Sequence, residues 1–433
     1  MSTITHCNYK NHDIFFCQNV EGHRSLIYAP TLRILVECSN SLISELILSI
    51  PEFEQKLPKL APLIFSSFRK GLNNPIIPKA INKRTPSVFA LSVGISRDCS
   101  LKCIYCHADA GLKIDSDPRI LLASIDYVKQ KIKERYLKAL HVSFAVGGEP
   151  TVRWNLFKEF VVKVNALAKS LNIELYKSIT TNGFYSSSKR AFICQEFDSI
   201  LLSFDGPSDI QNKHRPTRSG GDSYDTVFET AKHFSQHAKI FAIRSTISSL
   251  SINRLKELVF FFLNNFGKKV DLVLEPMVKI GRGKTTTEVT SPSSLAFAKH
   301  FWQAYNFATS NNISLTTSGF NPKRIVANFC YAMSLPSFTV TTNGIVTACE
   351  RDCEGVDYNY GCYIPRKDTF KIDPNRIKKN ISLVNMPEYC TECICKWHCA
   401  GDCPDTRRLG YQRCDGNKYL LLKYLSKIAK ESN

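Results

Sequence analysis

The stretch VFALSVGISRDCSLKCIYC, residues 88–106, decides the fold class and locates a candidate functional site. It begins with an apolar, strand-like run, Val88–Ser96, and continues into three cysteines, Cys99, Cys103 and Cys106. The spacings of three and two intervening residues let one tight loop bring three thiolates around a single centre. We therefore predict a β-strand that leads directly into a metal-binding loop.

Further strand-like runs follow at intervals that leave room for a helix between them. The runs are His141–Val146, Leu175–Thr181, Ile200–Phe204, Ile240–Ser248 and Val270–Pro276. Helices are predicted at Leu121–Leu137, Leu156–Ser170 and Ser294–Thr309. Six strands that alternate with helices imply a parallel sheet of βα units, and six such units suit a partial barrel. In such folds the functional residues lie at the carboxyl ends of the strands.

Composition limits the class of protein. The chain has 433 residues, 43% of them apolar, which is enough for two or three domains at about 150 residues each. It contains no apolar run of about 18 residues, and its first ten residues do not resemble a secretory signal. We expect a soluble, cytoplasmic protein with no membrane partner. The net charge of +19 is scattered along the chain, and we interpret it first as a solvated basic surface. An acidic peptide is the next choice of partner, and nucleic acid is not expected.

Residues 1–86 are predicted to form a separate N-terminal extension. Ile14–Cys17 and Leu32–Val36 are typical of strands, and Leu42–Ser49 of the beginning of a helix. Six prolines between Pro51 and Pro86 predict an irregular connector that leads into the barrel.

Seventeen cysteines in a chain expected to be cytoplasmic favour metal binding over disulfides. Iron–sulfur clusters are normally held by four thiolates, so three local cysteines leave one iron open for another ligand. A zinc site completed by His107 or by a distant cysteine is the alternative that the spacing leaves open.

The motifs at the strand ends carry a resemblance to a known family. The Cx3Cx2C loop, with Tyr105 before its third cysteine, resembles the signature of the radical S-adenosylmethionine (SAM) superfamily. Gly147-Gly148-Glu149-Pro150 ends the second strand and resembles the GGEP element of that family, and Ser203-Phe204-Asp205-Gly206-Pro207 ends the fourth and resembles its SxDGP element. Thr180-Thr181-Asn182-Gly183, at the end of the third strand, is interpreted only as a turn.

This resemblance implies a 4Fe-4S cluster on Cys99, Cys103 and Cys106, whose open iron binds S-adenosyl-L-methionine. It also implies a cofactor-binding role for seven residues: Tyr105, Gly147, Gly148, Glu149, Pro150, Ser203 and Arg215. Arg244 on the fifth strand is an alternative to Arg215, and for either arginine a structural ion pair is a competing interpretation.

The C-terminal cysteines resemble the SPASM extension, which carries auxiliary clusters in peptide-modifying radical SAM enzymes. The order is Cys330, Cys349, Cys390, Cys393, Cys399, Cys403 and Cys414. The resemblance implies one auxiliary 4Fe-4S cluster on Cys390, Cys393, Cys399 and Cys414, and a second on Cys330, Cys349 and Cys403. The second set lacks one ligand, which Cys353 or Cys362 could supply unless the position stays open. Two structural zinc sites are the alternative.

Seven cysteines lie outside the auxiliary and radical SAM motifs, and by default we expect them to be small buried hydrophobic residues. They are Cys7, Cys17, Cys38, Cys194, Cys353, Cys362 and Cys395.

The predicted fold class is α/β. We expect a partial (β/α)6 TIM-type barrel of the radical SAM class over residues 87–315 and a small C-terminal iron–sulfur SPASM domain over residues 316–433. For the N-terminal extension, residues 1–86, leader-peptide recognition and simple packing against the barrel are the two alternatives.

The resemblance implies an enzyme that cleaves S-adenosyl-L-methionine to a 5′-deoxyadenosyl radical, with a flavodoxin- or ferredoxin-type electron donor. Its substrate would be a ribosomal precursor peptide with a leader, cross-linked through a thioether, ether or carbon–carbon bond. One alternative is an anaerobic sulfatase-type maturase that forms formylglycine. Glu350, directly after Cys349, would then be a catalytic base, because related maturases have an aspartate there. The other alternative is a non-enzymatic zinc-bearing, nucleic-acid-binding protein.

Overall fold

Two β-sheets organise the chain in the computed structural model, which describes residues 3–21, 24–78, 87–334 and 337–432. A four-stranded antiparallel sheet lies near the N-terminus, and an eleven-stranded sheet forms the rest. The strands are β1 Thr3–Tyr9, β2 His12–Glu21, β3 Arg24–Ala29, β4 Ile34–Ser39, β5 Val88–Val93, β6 Ala139–Phe144, β7 Glu174–Thr181, β8 Ser199–Ser203, β9 Ile240–Ile247, β10 Asp271–Pro276, β11 Leu315–Thr316, β12 Phe338–Val340, β13 Ile345–Thr347, β14 Asn359–Ile364 and β15 Thr369–Ile372.

Helices pack on both faces of the N-terminal sheet and against the eleven-stranded sheet. They are α1 Asn40–Leu48, α2 Phe53–Leu60, α3 Pro62–Asn73, α4 Pro118–Arg135, α5 Trp154–Leu171, α6 Ser187–Glu196, α7 Ser208–His214, α8 Tyr224–His237, α9 Leu255–Phe266, α10 Ser294–Ser310, α11 Tyr331–Ser334, α12 Pro374–Ser382, α13 Lys396–Cys399, α14 Pro404–Arg408 and α15 Cys414–Ser432. Within the described ranges, none of these helices combines the length and the apolar character needed to cross a bilayer.

The six predicted barrel strands are confirmed. Strands β5 to β10 lie side by side in chain order, and every neighbouring pair is parallel. The end strands do not pair with each other, since β5 pairs with β12 and β10 with β11. The barrel is therefore open, as a (β/α)6 arrangement requires.

Alternating burial determines which side chains face the helices. On β6, Leu140, Val142 and Phe144 are fully buried, and the Phe144 ring contacts Phe157 of α5 with ring centroids 5.1 Å apart. The residues between them, including His141, lie on the opposite face, which we call the inner face. Apolar residues therefore lie on the helix side of β6, and the polar residues His141 and Ser143 lie on the inner face.

The C-terminal region continues the barrel sheet, which the sequence did not predict. Strand β12 runs parallel to β5, with Thr339 opposite Ser92, and β13 to β15 follow as antiparallel strands. The long helix α15 packs against α10. Strands of three residues are too short to show a period in sequence, which is why this extension was missed.

The N-terminal extension is a small sheet with three helices. The predicted strand Ile14–Cys17 lies in β2, and α1 matches the predicted helix. The predicted irregular connector is wrong for residues 53–73, which form α2 and α3. Pro62 is the first residue of α3, where its missing N–H costs no hydrogen bond. The predicted boundary at residue 86 lies in 79–86, outside the described residues.

Candidate active site

The three-cysteine loop follows β5, at the carboxyl end of the parallel strands. Cys103 is buried, whereas Cys99 and Cys106 are half-buried. The buried members of the surrounding apolar cluster are Leu101, Cys103, Ile104, Tyr105, Met277 and Val289. The sulfur atoms therefore lie in a largely dry environment at the end of the barrel where functional residues of βα folds gather.

Each of the three sulfur atoms accepts a hydrogen bond from an N–H group, and the three N–H groups come from different parts of the chain. The donors are the Ala110 backbone amide to Cys106 (3.5 Å), the Asn182 side-chain amide to Cys99 (3.4 Å) and the Arg215 guanidinium to Cys103 (3.8 Å). Such hydrogen bonds favour the thiolate over the thiol, and in iron–sulfur proteins they help to set the reduction potential.

Burial disfavours the thiolate form of the cysteines in the same loop. It raises the pKa of Cys99 to about 12 and the pKa of Cys103 to about 11. A buried thiolate therefore needs a positive partner, and iron supplies one. Buried sulfur ligands with N–H donors fit an iron–sulfur cluster. Among the residues that the structure describes, no three His, Cys, Asp or Glu side chains are grouped so as to hold a single metal ion.

Tyr105 belongs to a buried network that ties the cysteine loop to the end of β8. Its hydroxyl donates to the Asp205 carboxylate, which also accepts from His214 Nδ1 at 2.9 Å. The Arg215 guanidinium pairs with Asp205 through Nε at 3.1 Å and lies 5.3 Å from the centre of the Tyr105 ring. Tyr105 and Arg215, both predicted to bind cofactor, are thus placed in a structural network behind the sulfur atoms.

Gly147 and Gly148 let the turn after β6 approach the segment before Cys99. The Gly148 amide donates to the Ser96 carbonyl at 2.8 Å, and a Cβ at Gly148 would overlap the Asp98 carbonyl oxygen. Gly147 has φ +89°, a conformation that favours glycine. The glycine pair therefore holds this turn against the cysteine loop, and the buried Pro150 begins the short helical turn that follows.

Glu149 is buried, and its carboxylate accepts hydrogen bonds from four donors at the ends of neighbouring strands. The donors are the Thr151 amide and hydroxyl, the Thr181 hydroxyl and the Asn182 amide. Since the Asn182 side chain also donates to Cys99, the chain of contacts runs from Glu149 through Asn182 to the sulfur. The structure therefore places Glu149 behind the loop, as a group that positions Asn182.

The two candidate arginines have different environments. Arg215 is buried and paired with Asp205. Arg244 is exposed on β9, directly opposite Ser203 in the register of β8 and β9. Ser203 and Arg244 lie beside each other at the carboxyl end of the barrel, where Ser203 is predicted to bind cofactor. The ion-pair interpretation thus describes Arg215, and Arg244 is the arginine with a side chain available for a ligand.

The structure brings together the first auxiliary set. Cys390, Cys393, Cys399 and Cys414 line one pocket of about 390 Å³, here called the four-cysteine pocket. The Asn417 side-chain amide donates to the Cys399 sulfur at 3.3 Å. Cys395 also lines the pocket, and its thiol lowers the pKa of Cys393 to about 6 by a hydrogen bond.

The second auxiliary set is also close in space. Burial raises the pKa of Cys330 and Cys349, and the charge of Cys403 raises both further. Cys353 instead packs with Cys99 and Cys106 on the other side of the loop. Cys362 is exposed on β14, so the default expectation that it is buried is wrong. Neither residue that could have completed this set is placed with it.

Glu350 reaches from the Cys349 turn to the barrel. Its carboxylate accepts a hydrogen bond from Ser92 of β5 at 2.7 Å, and its charge acts on both Cys330 and His141. The side chain therefore lies between the second auxiliary set and the inner face of the barrel.

Sequence reasoning missed Asn182 and Asp205 as residues that position the sulfur ligands. Both occur in quoted motifs, but an Asn-Gly or Asp-Gly pair is also an ordinary turn signal. Their place at carboxyl ends of adjacent strands was the signal that could have distinguished them.

Comparison with known proteins agrees with this arrangement. Residues 93–252 match the radical SAM superfamily. A cysteine-type anaerobic sulfatase-maturating enzyme of Clostridium perfringens is 26% identical over 239 residues, which is 53% of this chain and only 64% of that relative.

Two solved structures share the fold. Native anSMEcpe with bound AdoMet has a TM-score of 0.59 at 21% identity, covering 79% of this chain and 100% of that one. Streptococcus suis SuiB bound to precursor peptide SuiA has a TM-score of 0.51 at 16% identity, covering 94% and 97%. The open parallel barrel with a cysteine loop at its carboxyl end, together with the matched residues, shows that the chain contains a radical SAM domain.

Proposed function

We propose that this protein is a radical SAM enzyme that modifies a ribosomally made peptide. The observation that carries the proposal is the loop of Cys99, Cys103 and Cys106 at the carboxyl end of the barrel, with one N–H donor on each sulfur. Cys99, Cys103 and Cys106 would hold a 4Fe-4S cluster, which, reduced by an external donor, would supply one electron for cleavage of S-adenosyl-L-methionine and so start radical chemistry on an unactivated C–H bond.

The chain's own residues hold and orient the reactants. Asn182, positioned by Glu149, and Arg215, positioned by Asp205, keep their donors on the loop sulfurs. Ser203 and Arg244 present a hydroxyl and a guanidinium on the inner face, and Arg244 suits the carboxylate of the cofactor because a guanidinium matches that group in a bidentate manner.

The C-terminal region has the cysteines of a SPASM domain and is proposed to hold two auxiliary clusters. The four-cysteine pocket would hold one of them. Cys330, Cys349 and Cys403 would hold the other, with its fourth position left open because Cys353 and Cys362 lie elsewhere. Glu350 lies between this cysteine set and Ser92 of the barrel, so an open coordination position there would be available to a substrate side chain.

The N-terminal sheet supports a peptide substrate with a leader. In the described residues β4 pairs only with β3, so its other edge has unpaired backbone groups. A groove of about 720 Å³ runs between β4 and α3, with Arg33 and Lys70 among its lining residues. An extended acidic leader could add to this edge as a fifth strand and place its carboxylates near both cations.

Two types of product are candidates for this protein. SuiB, which was solved with a precursor peptide, shares the fold over 94% of this chain, and anSMEcpe over 79%. The wider coverage supports a peptide maturase with an added N-terminal domain, and we propose a cross-link as its product. The sequence relative is a sulfatase-maturating enzyme, which supports formylglycine formation as a second candidate. In that case Glu350 would act as the base.

The test uses the anaerobically reconstituted chain, a chemical or flavodoxin-type reductant, and the precursor encoded by a small neighbouring reading frame. We expect iron and sulfide in the protein, 5′-deoxyadenosine as a product, and a peptide that stays linked on fragmentation. Linear fragments that carry an aldehyde would favour formylglycine instead. Cys99→Ala should remove both products. Product formation unchanged in that variant, or a protein with zinc and no iron, would contradict the proposal.

A further inference from the structure

The segment between two cysteines of the four-cysteine pocket contacts the N-terminal sheet. This linking segment, residues 394–398, connects Cys393 to Cys399. Ile394 and Cys395 are 1% and 4% exposed, and both belong to an apolar cluster with residues of the N-terminal sheet. The sheet's members of that cluster are Phe15, Cys17, Leu26 and Tyr28. The sheet therefore forms one wall behind the pocket.

A buried carboxylate of the N-terminal sheet binds the same segment. Asp13 of β2 is 4% exposed and accepts hydrogen bonds from Lys396 Nζ at 3.1 Å and from Trp397 Nε1 at 2.8 Å. His6 Nε2 adds a third contact at 2.8 Å. Burial acts to raise the pKa of Asp13, but these hydrogen bonds lower it below its usual value. Asp13 is thus a charged, fully partnered anchor, and two of its three partners belong to the linking segment.

A second polar contact lies beside the first. The Tyr28 hydroxyl of β3 donates to His398 Nε2, and the other ring nitrogen of His398 donates to the Arg324 carbonyl at 3.0 Å. Together with Asp13, this contact means that each of the five linking residues has a buried or hydrogen-bonded contact with the N-terminal sheet.

We infer that the N-terminal sheet positions Cys393 and Cys399, with Asp13 as the main positioning residue. The sheet that would bind the leader therefore also supports the four-cysteine pocket. The inference rests on the proposed function. The linking segment has only the short helix α13 of its own, so its conformation depends on its contacts. The sheet supplies Asp13, Tyr28 and three other buried members of the apolar cluster, and the loop at 321–326 and helix α15 supply the remaining contacts. Cluster potentials vary with solvent exposure and with hydrogen bonds to the sulfurs, and a loosened segment changes both.

The test compares Asp13→Asn with Glu45→Gln, which removes the same charge from an exposed position of the same domain. Iron release to a chelator is followed in the anaerobic holoprotein, and the midpoint potential of each cluster is measured by redox titration with paramagnetic resonance. In Asp13→Asn we expect the iron of one cluster to leave about tenfold faster, because charged hydrogen bonds are lost, and the potential of that cluster to shift. The iron of the other clusters should leave at the original rate.

Tyr28→Phe and Lys396→Met provide the same measurement if Asp13→Asn does not fold. Each removes one contact with the segment and leaves Asp13 in place, so each should accelerate release from the same cluster. Release rates and potentials equal to those of Glu45→Gln in every variant that folds would overturn the inference. A parent protein that binds no iron would instead contradict the proposed function, so the two failures can be distinguished.

Discussion

Replacing Asp205 by asparagine tests the network behind the three sulfurs. The Asp205 side chain is fully buried and accepts from four groups at the end of β8. They are the Tyr105 hydroxyl, His214 Nδ1 (2.9 Å), Arg215 Nη2 (3.2 Å) and the Thr246 amide (2.9 Å). Burial acts to raise the pKa of Asp205, but Arg215 and His214 lower it well below its usual value. The carboxylate is therefore charged wherever the protein is folded near neutral pH.

Asparagine keeps the shape of the side chain but removes the charge and turns one acceptor into a donor. The Arg215 guanidinium then stays buried without its counter-charge, and removing one partner of a buried ion pair costs about 3–5 kcal/mol. Domain stabilities are about 5–15 kcal/mol, so this loss is a large part of the total. Since Arg215 also donates to Cys103, we expect iron binding at the loop to weaken in the same variant.

The assay is urea unfolding of the anaerobic protein, with the shift in midpoint compared at equal slope. Asp209→Asn is the matched control, because Asp209 is four residues further on, 60% exposed, and paired with Arg254 at the surface. A surface pair of this kind contributes about 0–1 kcal/mol. If Asp205→Asn destabilised the protein no more than Asp209→Asn, the argument that this network supports the cysteine loop would be refuted.

Three further changes test other parts of the structure. Gly148→Ala should cost about 1–3 kcal/mol in unfolding free energy and lower the iron content, because the added Cβ overlaps the Asp98 carbonyl; full stability would show that the turn can move. Burial lowers the pKa of His141, so the unfolded chain takes up a proton before the folded protein does, and the unfolding free energy falls as the pH drops below about 6.5. His141→Gln should reduce the dependence of the unfolding free energy on pH in this range. An unchanged pH dependence would refute the assignment. Arg33→Glu combined with Lys70→Glu should weaken the binding of an acidic leader, and more so at low salt than at high salt. Fluorescence anisotropy measures the affinity. Equal affinities of the variant and the parent protein for the leader would exclude the groove as its binding site.

Much of the barrel could be predicted because its strands are long, apolar and separated by helices. Val270–Pro276, for example, matches β10 within one residue, although Asp271 and Glu275 interrupt its apolar residues. The pieces that were missed lack such a signal. Strand β12 has three residues. Pro62 is tolerated as the first residue of α3, whereas Pro58 lies inside α2, where a proline argues against a helix in the sequence.

Sequence spacing by itself determined the three-cysteine loop, because residues a few positions apart on one loop must be close in space. The two auxiliary sets were implied by the resemblance to the SPASM extension. The sequence also determined that the motifs lie at the carboxyl ends of strands, since each follows an apolar run. Tertiary structure decided the rest. Arg215 is committed to Asp205, Cys353 lies beside Cys106, and β2 lies against Trp397. Contacts across hundreds of residues depend on how whole elements pack, and no local pattern of residue types encodes that packing.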